Sequence, residues 1–383
     1  VRYEITAPTE DQVTRNREFI DGLRNGIAGI HDGYATGTED YISGHNTARE
    51  LLSTSFKPDH HPTPEELELV GDVRTVVFNE LRLYEDDAFV PQKVPRESYK
   101  FYSSEKYQQI NPVADSLGAS LNPYGLIALN HGRLGISKLQ TAVTLVHETL
   151  EASSYFDLKA HTGSDGRQKI RSNRQAFQMN MDSQDPLNQH FKMFREAIIE
   201  DFTREIVLRN KTALHLDDLS DQELTVRHTA MNGYSDYFEV LYTVAEGIAH
   251  SRGNVSQADV IQEFRQACFN GKIQDLLIEI EKTFGNGSLR VLAAMGTGVR
   301  DKSYFDHMIE KNGLKPETFF EKIFPSLRRV LPRKEVGSTY DTNFVNNQIK
   351  RFFQASDKTE KDRIAQRILA PQNLEKYTRR ASK

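Results

Sequence analysis

The chain of 383 residues has one cysteine, Cys268. A single thiol excludes an intramolecular disulfide framework and a thiolate-rich zinc site, so any metal site must be built from histidine, aspartate and glutamate. No run of about 18 apolar residues occurs, which excludes an ordinary membrane-spanning helix. The opening Val1-Arg2-Tyr3 lacks a methionine and an apolar signal-peptide core. The expectation is a soluble protein, cytoplasmic or delivered as an effector, with its compartment not legible. Also missing are a P-loop, a glycine-rich dinucleotide fingerprint, a kinase signature, a Gly-x-Ser-x-Gly elbow, internal repeats and low-complexity tracts.

What is present is a hydrophilic but foldable composition, 38% hydrophobic and 27% charged. The length allows one large domain or two to three smaller ones. The net charge of −5 conceals an asymmetry: residues 326–383 hold 14 basic and 6 acidic side chains, against 35 and 48 in the remainder. A basic tail on an acidic body can bind nucleic acid, an anionic membrane or an acidic partner, or it can dock on that body or simply be solvated. The docked or solvated tail is the favoured reading, and among partners an acidic one is expected ahead of nucleic acid.

Hydrophobic periodicity predicts helices over 11–34, with Gly33 as a stop, and over 39–54, with Thr38 as N-cap. The Pro-rich "KPDHHPTPEE" leads into a further helix over 64–83. Its His60 and His61 read as exposed polar loop residues rather than ligands. Between 86 and 135 the helical period fades, and "NPYGLIALN" (122–130) is a strand candidate. "GISKLQTAVTLVHETLEASSYFDL" opens with Ser137-x-x-Gln140, a possible capping box. It continues with Leu139, Val143, Val146 and Leu150 at the spacing of one buried stripe. The stretch from "GSDGR" (163–167) to Pro186 reads as loop. A helix follows over 188–209, then helices from Tyr234 to about 283, closed by "GNGS". The fold class is mainly α with a small β-sheet (α+β).

Within that helix, "HETLE" places His147 and Glu151 one turn apart, able to address the same atom, with Glu148 on the adjoining edge. Two carboxylates beside an apolar stripe repel unless a cation compensates them. No Lys or Arg stands one turn away, at Val143, Thr144, Ala152 or Tyr155. Either the patch faces solvent or something from elsewhere neutralises it. In "FREAIIEDFTREI", Glu196 and Glu200 are likewise one turn apart, at the edge of a stripe of Phe191, Phe194, Ile198, Phe202 and Ile206. Glu200 fits a solvated face paired with Arg204, whereas Glu196 is open to either reading.

These segments resemble gluzincin-type zinc metallopeptidases, in which a His-Glu-x-x-His helix is followed by a helix carrying a glutamate ligand. "REAIIEDFTR" (195–204) is similar to the second helix. "GYSDYFEVLYTVAEGIA" and "FRQACFNGKIQDLLIEIEKTFG" look like the helices that follow it. The resemblance spans about residues 122–285. It implies a zincin-like core over 111–290, an N-terminal helical region over 1–110 and a basic helical C-terminal region over 291–383. It implies an endopeptidase acting on protein or peptide, with His147 and Glu196 as Zn2+ ligands, Glu148 as general base and Tyr234 as oxyanion donor.

Two departures stand against the family pattern: Glu151 replaces the second histidine, and Arg195 replaces the Asn before the ligand glutamate. One histidine and two carboxylates neutralise a divalent ion fully, so Mn2+ or another oxygen-loving metal becomes plausible as well. The same change is compatible with a zincin-like scaffold that no longer cleaves anything, or with an interaction protein acting through its tail. Whether Glu196 or Glu200 is the downstream ligand stays open.

Overall fold

The computed structural model describes residues 10–293, apart from segments at 31–36, 88, 92, 112–116, 122–123, 135–136, 163–167, 180–189, 222–223, 225–234 and 286–287. Beyond these it describes a few positions between 351 and 360, so most of the basic tail lies outside the described residues. The described part is mostly helical with two small sheets, the α+β class expected. No described helix is long and apolar enough to cross a membrane.

Helices α1 (Glu10–Ile27) and α2 (Glu39–Ser53) form a tight pair. A Cβ on Gly22 would stand 2.0 Å from the Tyr41 carbonyl oxygen, and one on Gly44 2.0 Å from that of Phe19. Glycine at both points is what lets the backbones approach. Thr38 caps α2 as expected, its hydroxyl accepting from the Tyr41 amide. Helix α3 (Pro64–Leu81) starts with a full capping box between Thr63 and Glu66 and Pro at its first position.

The first sheet comprises β1 (Tyr99–Tyr102), β2 (Gly118–Leu121) and β3 (Leu126–Asn130), in the order β1-β3-β2. Strand β3 is parallel to β1 and antiparallel to β2. Its alternation divides two cores: Ile127 and Leu129 join the main core, while Leu126 and Ala128 join a smaller one with Leu23, Ile27, Ala48 and Tyr107. Helix α4 (Ser104–Ile110) follows β1 on the side of the smaller core.

Helix α5 (Lys138–Ser153) is wedged between the sheet, α3 and α6 (Lys192–Arg209). Ser137 caps it, accepting from the Gln140 amide. Leu139, Val143, Val146 and Leu150 are buried as the stripe requires, but so are Leu145, Glu148, Thr149 and Glu151. The helix ends at Ser153, earlier than the apolar pattern suggests, and β4 (Phe156–Thr162) begins three residues later. Strand β4 pairs with β5 (Gln168–Gln175), which pairs with β6 (Gln178–Met179). This corrects the loop expected over 168–179. "QKIRSNRQ" is too polar for an apolar alternation to mark it, and main-chain pairing with β4 carries it instead.

Helix α6 is central rather than one-sided. Ile199, Glu200, Asp201 and Thr203 are buried together with the anticipated Phe194, Ile198, Phe202 and Ile206. Helices α7 (Ser235–Arg252) and α8 (Gln257–Asn270) pack against it; α9 (Gln274–Phe284) packs on α7, and the short α10 (Ser288–Ala293) joins α9 to α6. Asp201 locks their register: it accepts from Arg265 of α8 at 2.6 Å and from the Tyr242 hydroxyl of α7. The main core also includes Val70, Val73 and Val77 of α3, so α3 shares one core with α5 and α6.

Candidate metal centre

The wedge between α5 and α6 brings His147, Glu151 and Glu196 together, one ligand atom from each lying within 4.8 Å of the others. His147 Nε2 stands 3.7 Å from Glu151 Oε1 and 3.5 Å from Glu196 Oε2. The α-helical period delivers the first pair, and the antiparallel-like apposition of two buried helices delivers the third residue. The imidazole is 13% exposed and the two carboxylates 10% each, so the cluster reaches solvent through a narrow opening.

Glu200 stands elsewhere than expected. It is not on a solvated face with Arg204 but 1% exposed, with its Oε2 2.8 Å from His147 Nδ1. A carboxylate on Nδ1 fixes the ring and its tautomer, and turns Nε2 toward Glu151 and Glu196. The sequence signal for this role was the Glu196–Glu200 pair itself, one turn apart on a helix that faces a histidine. The surrounding "AII" and "DF" looked like the border of a solvated face because the burial of the other side comes from α7 and α8.

Arg195 supplies the compensation that no residue of α5 can. Its guanidinium Nη2 lies 2.6 Å from Glu151 Oε1 and 2.5 Å from Glu196 Oε1, and the side chain is 4% exposed. Burial works against its charge, but Glu151 and Glu196 outweigh burial and hold the proton more firmly than usual. Glu196 is held ionised below the usual carboxylate range: burial opposes this, and Arg195 and His147 overcome it. His147 is pushed well above its ordinary value, with hydrogen bonds to Glu151, Glu196 and Glu200 outweighing the burial that disfavours its charge.

Glu148 behaves differently. Burial, then the neighbouring charge of Glu151, pushes its carboxyl up to about 8, although the Ser120 amide donates to it. Strand β2 passes close by: a Cβ on Gly118 would meet Glu148 Cγ at 3.1 Å and Thr144 Cγ2 at 2.8 Å. Among the described residues β2 pairs in the sheet only with β3, and α5 packs against it at Gly118 and Ser120.

No family model, curated protein or solved structure matches the chain.

Tyr234, the expected oxyanion donor, lies outside the described residues, just before α7. Two cavities among the described residues lie elsewhere. One, of about 400 Å³, lies between α1 and the end of α5, and the other, of about 340 Å³, lies beside Tyr242. The donor set itself suits a divalent ion: one imidazole nitrogen and carboxylates from two helices, with a carboxylate behind the histidine.

Proposed function

We propose that the chain is a metal-dependent endopeptidase with a zincin-like core, using His147, Glu151 and Glu196 as ligands and Glu148 as general base. The observation that carries this reading is the convergence of three ligand atoms on a buried point, with Glu200 holding the imidazole from behind. Charge balance supports it. Without an ion, the protonated His147 and Arg195 set two positive charges against Glu151, Glu196 and Glu200, with Glu148 protonated. A divalent ion that displaces the His147 proton would close the remaining deficit of one, and in a buried site an open deficit is expensive.

Bound there, a divalent ion would acidify water and polarise a carbonyl, whether it is zinc or manganese. The remaining work belongs to the chain. Glu148, protonated near neutrality while the site holds no cation, would ionise beside a bound divalent ion and then take the proton at its carboxylate. Arg195 bridges Glu151 and Glu196 through one guanidinium nitrogen and holds Glu196 ionised.

Arg195 also favours a second reading, a binding or structural module in which its guanidinium is the only cation the carboxylates meet. One experiment separates the two. Protein stripped with a chelator is reloaded with Zn2+ or Mn2+ and assayed on an unstructured protein substrate, together with His147→Ala and Glu148→Gln. The peptidase reading expects His147→Ala to hold one ion fewer than wild type and to be inactive. It expects Glu148→Gln to hold as many ions as wild type and to lose about 10²–10⁴ of the rate. Equal ion content in wild type and His147→Ala, with no cleavage by either, selects the module.

A further inference from the structure

A second convergence of ligand atoms lies at the start of α3. His60 precedes that helix, Glu66 is in its first turn, and His131 directly follows β3. One ligand atom from each lies within 4.8 Å of the others. His131 Nδ1 is 2.9 Å from Glu66 Oε1, and the rings of His60 and His131 stack with centroids 3.3 Å apart at 18°. His60 Nε2 is buried and has no hydrogen-bond partner. An imidazole nitrogen without a partner is uncommon away from water and is what a metal ligand looks like when only protein atoms surround it.

All three residues are held by contacts that do not involve the cluster. The loop before His60 is tied to the end of β1 twice. The Tyr102 hydroxyl donates to the Phe56 carbonyl at 2.9 Å, and the Asp59 carboxylate accepts from the Ser103 amide at 2.8 Å and its hydroxyl at 2.5 Å. The His131 amide donates to the Tyr102 carbonyl at 2.9 Å. Glu66 spends Oε2 on the Thr63 amide at 2.7 Å, which closes the capping box and points Oε1 at His131. A site whose ligands are fixed in advance loses little freedom on binding.

We propose that His60, Glu66 and His131 form a metal site for a zinc-class transition ion, separate from the His147 cluster and independent of the peptidase reading. Two imidazoles and one carboxylate select zinc, copper or nickel over magnesium or calcium, which prefer all-oxygen shells. Donors about 2.0–2.2 Å from a tetrahedral ion lie about 3.3 Å from one another, so the His131–Glu66 separation is already close to one edge. His60 leaves its stack on His131 by turning about its side-chain torsions to bring Nε2 to the same ion. Three protein ligands leave a fourth position to water. The ion ties the start of α3 to the connection between β3 and α5, the helix that carries His147.

The test uses the full chain with His147→Ala as background, and Zn2+ and Co2+ alone as probes, titrated against a chromogenic chelator. One ion per chain is expected, with Co2+ giving the visible bands of a nitrogen–oxygen site. Adding His60→Ala or His131→Ala should abolish that ion and those bands. Adding Glu66→Gln, which keeps an acceptor for the Thr63 amide, should weaken binding tenfold or more. Far-UV circular dichroism of each metal-free variant checks folding. If the His147→Ala background does not fold, His60→Ala is compared with wild type, and a loss of one ion is expected. A folded His147→Ala protein that takes up no ion overturns the proposal, as does uptake unchanged by His60→Ala and His131→Ala.

Discussion

The two clusters solve one problem in opposite ways. At His147 the ligands come from the middles of two buried helices, and charges of both signs are packed around them: Arg195 between the glutamates, Glu200 behind the imidazole. At His60 the ligands come from the ends of elements, half-buried, and main-chain hydrogen bonds rather than counter-charges set their positions. The buried cluster should therefore be sensitive to charge deletion and to pH. The peripheral one should be sensitive mainly to loss of a ligand and of local backbone contacts.

Removing Arg195 is the hardest blow to that contrast. Arg195→Ala leaves Glu151 and Glu196 unneutralised in the interior, and breaking a buried pair costs about 3–5 kcal/mol. The metal-free variant should show that loss in denaturant melts, and added ion should recover part of it. A loss below about 1 kcal/mol erases the contrast, since that is the scale of an exposed pair.

Glu200→Gln keeps the shape but weakens the hold on His147 Nδ1, so ion affinity at the buried cluster should fall about 10–100-fold. Ion titration of this variant in a His60→Ala background reads that cluster alone. Unchanged affinity makes Glu200 a packing residue only.

The pH dependence has a defined sign. Glu148 is raised from 4.5 to about 8 on folding, so its contribution is fully present below 4.5 and is lost as pH rises toward 8. His147, raised well above 6.5, acts in the same direction: its contribution is present below 6.5 and lost as pH passes its folded value. Glu196, lowered on folding, contributes fully above its unfolded value of 4.5, so it adds no slope at neutral pH. The melting temperature of the metal-free protein should fall from pH 5 to pH 8. Glu148→Gln should make the fall shallower, and parallel curves for the two proteins remove Glu148 from the account.

The smallest effect belongs to the periphery. Thr63→Ala opens the capping box of α3 and should cost about 1 kcal/mol, with little dependence on pH between 6 and 8. Chemical denaturation at the two pH values checks both parts of that statement.

Part of the buried cluster was legible in the sequence: helical spacing puts His147 beside Glu151, and the resemblance to gluzincins, not spacing, marks Glu196 as a candidate. Glu200 and Arg195 were not, since their roles depend on which sides of α6 are covered, and α7 and α8 decide that from forty to seventy residues downstream. The cap of α2, the start of α5 and the helices after 234 followed from local signals: Thr38, Ser137 and apolar periodicity. The β4–β5 pairing did not, because main-chain hydrogen bonds leave no trace in side-chain polarity. His60 read as a loop residue for a comparable reason. Its partner His131 is remote in sequence and is brought near by the β1–β3 pairing, a long-range event.

Helix α6 carries Glu196 and Glu200 on a backbone enclosed by α5, α7 and α8, with Asp201 pinned to both of the last two. Interiors of that density resist expansion. The separation of His147 from Glu196 is therefore held by the surrounding helices. What that fixed set offers is one nitrogen and two carboxylates, so zinc or manganese should be held ahead of calcium, which wants six or more oxygens.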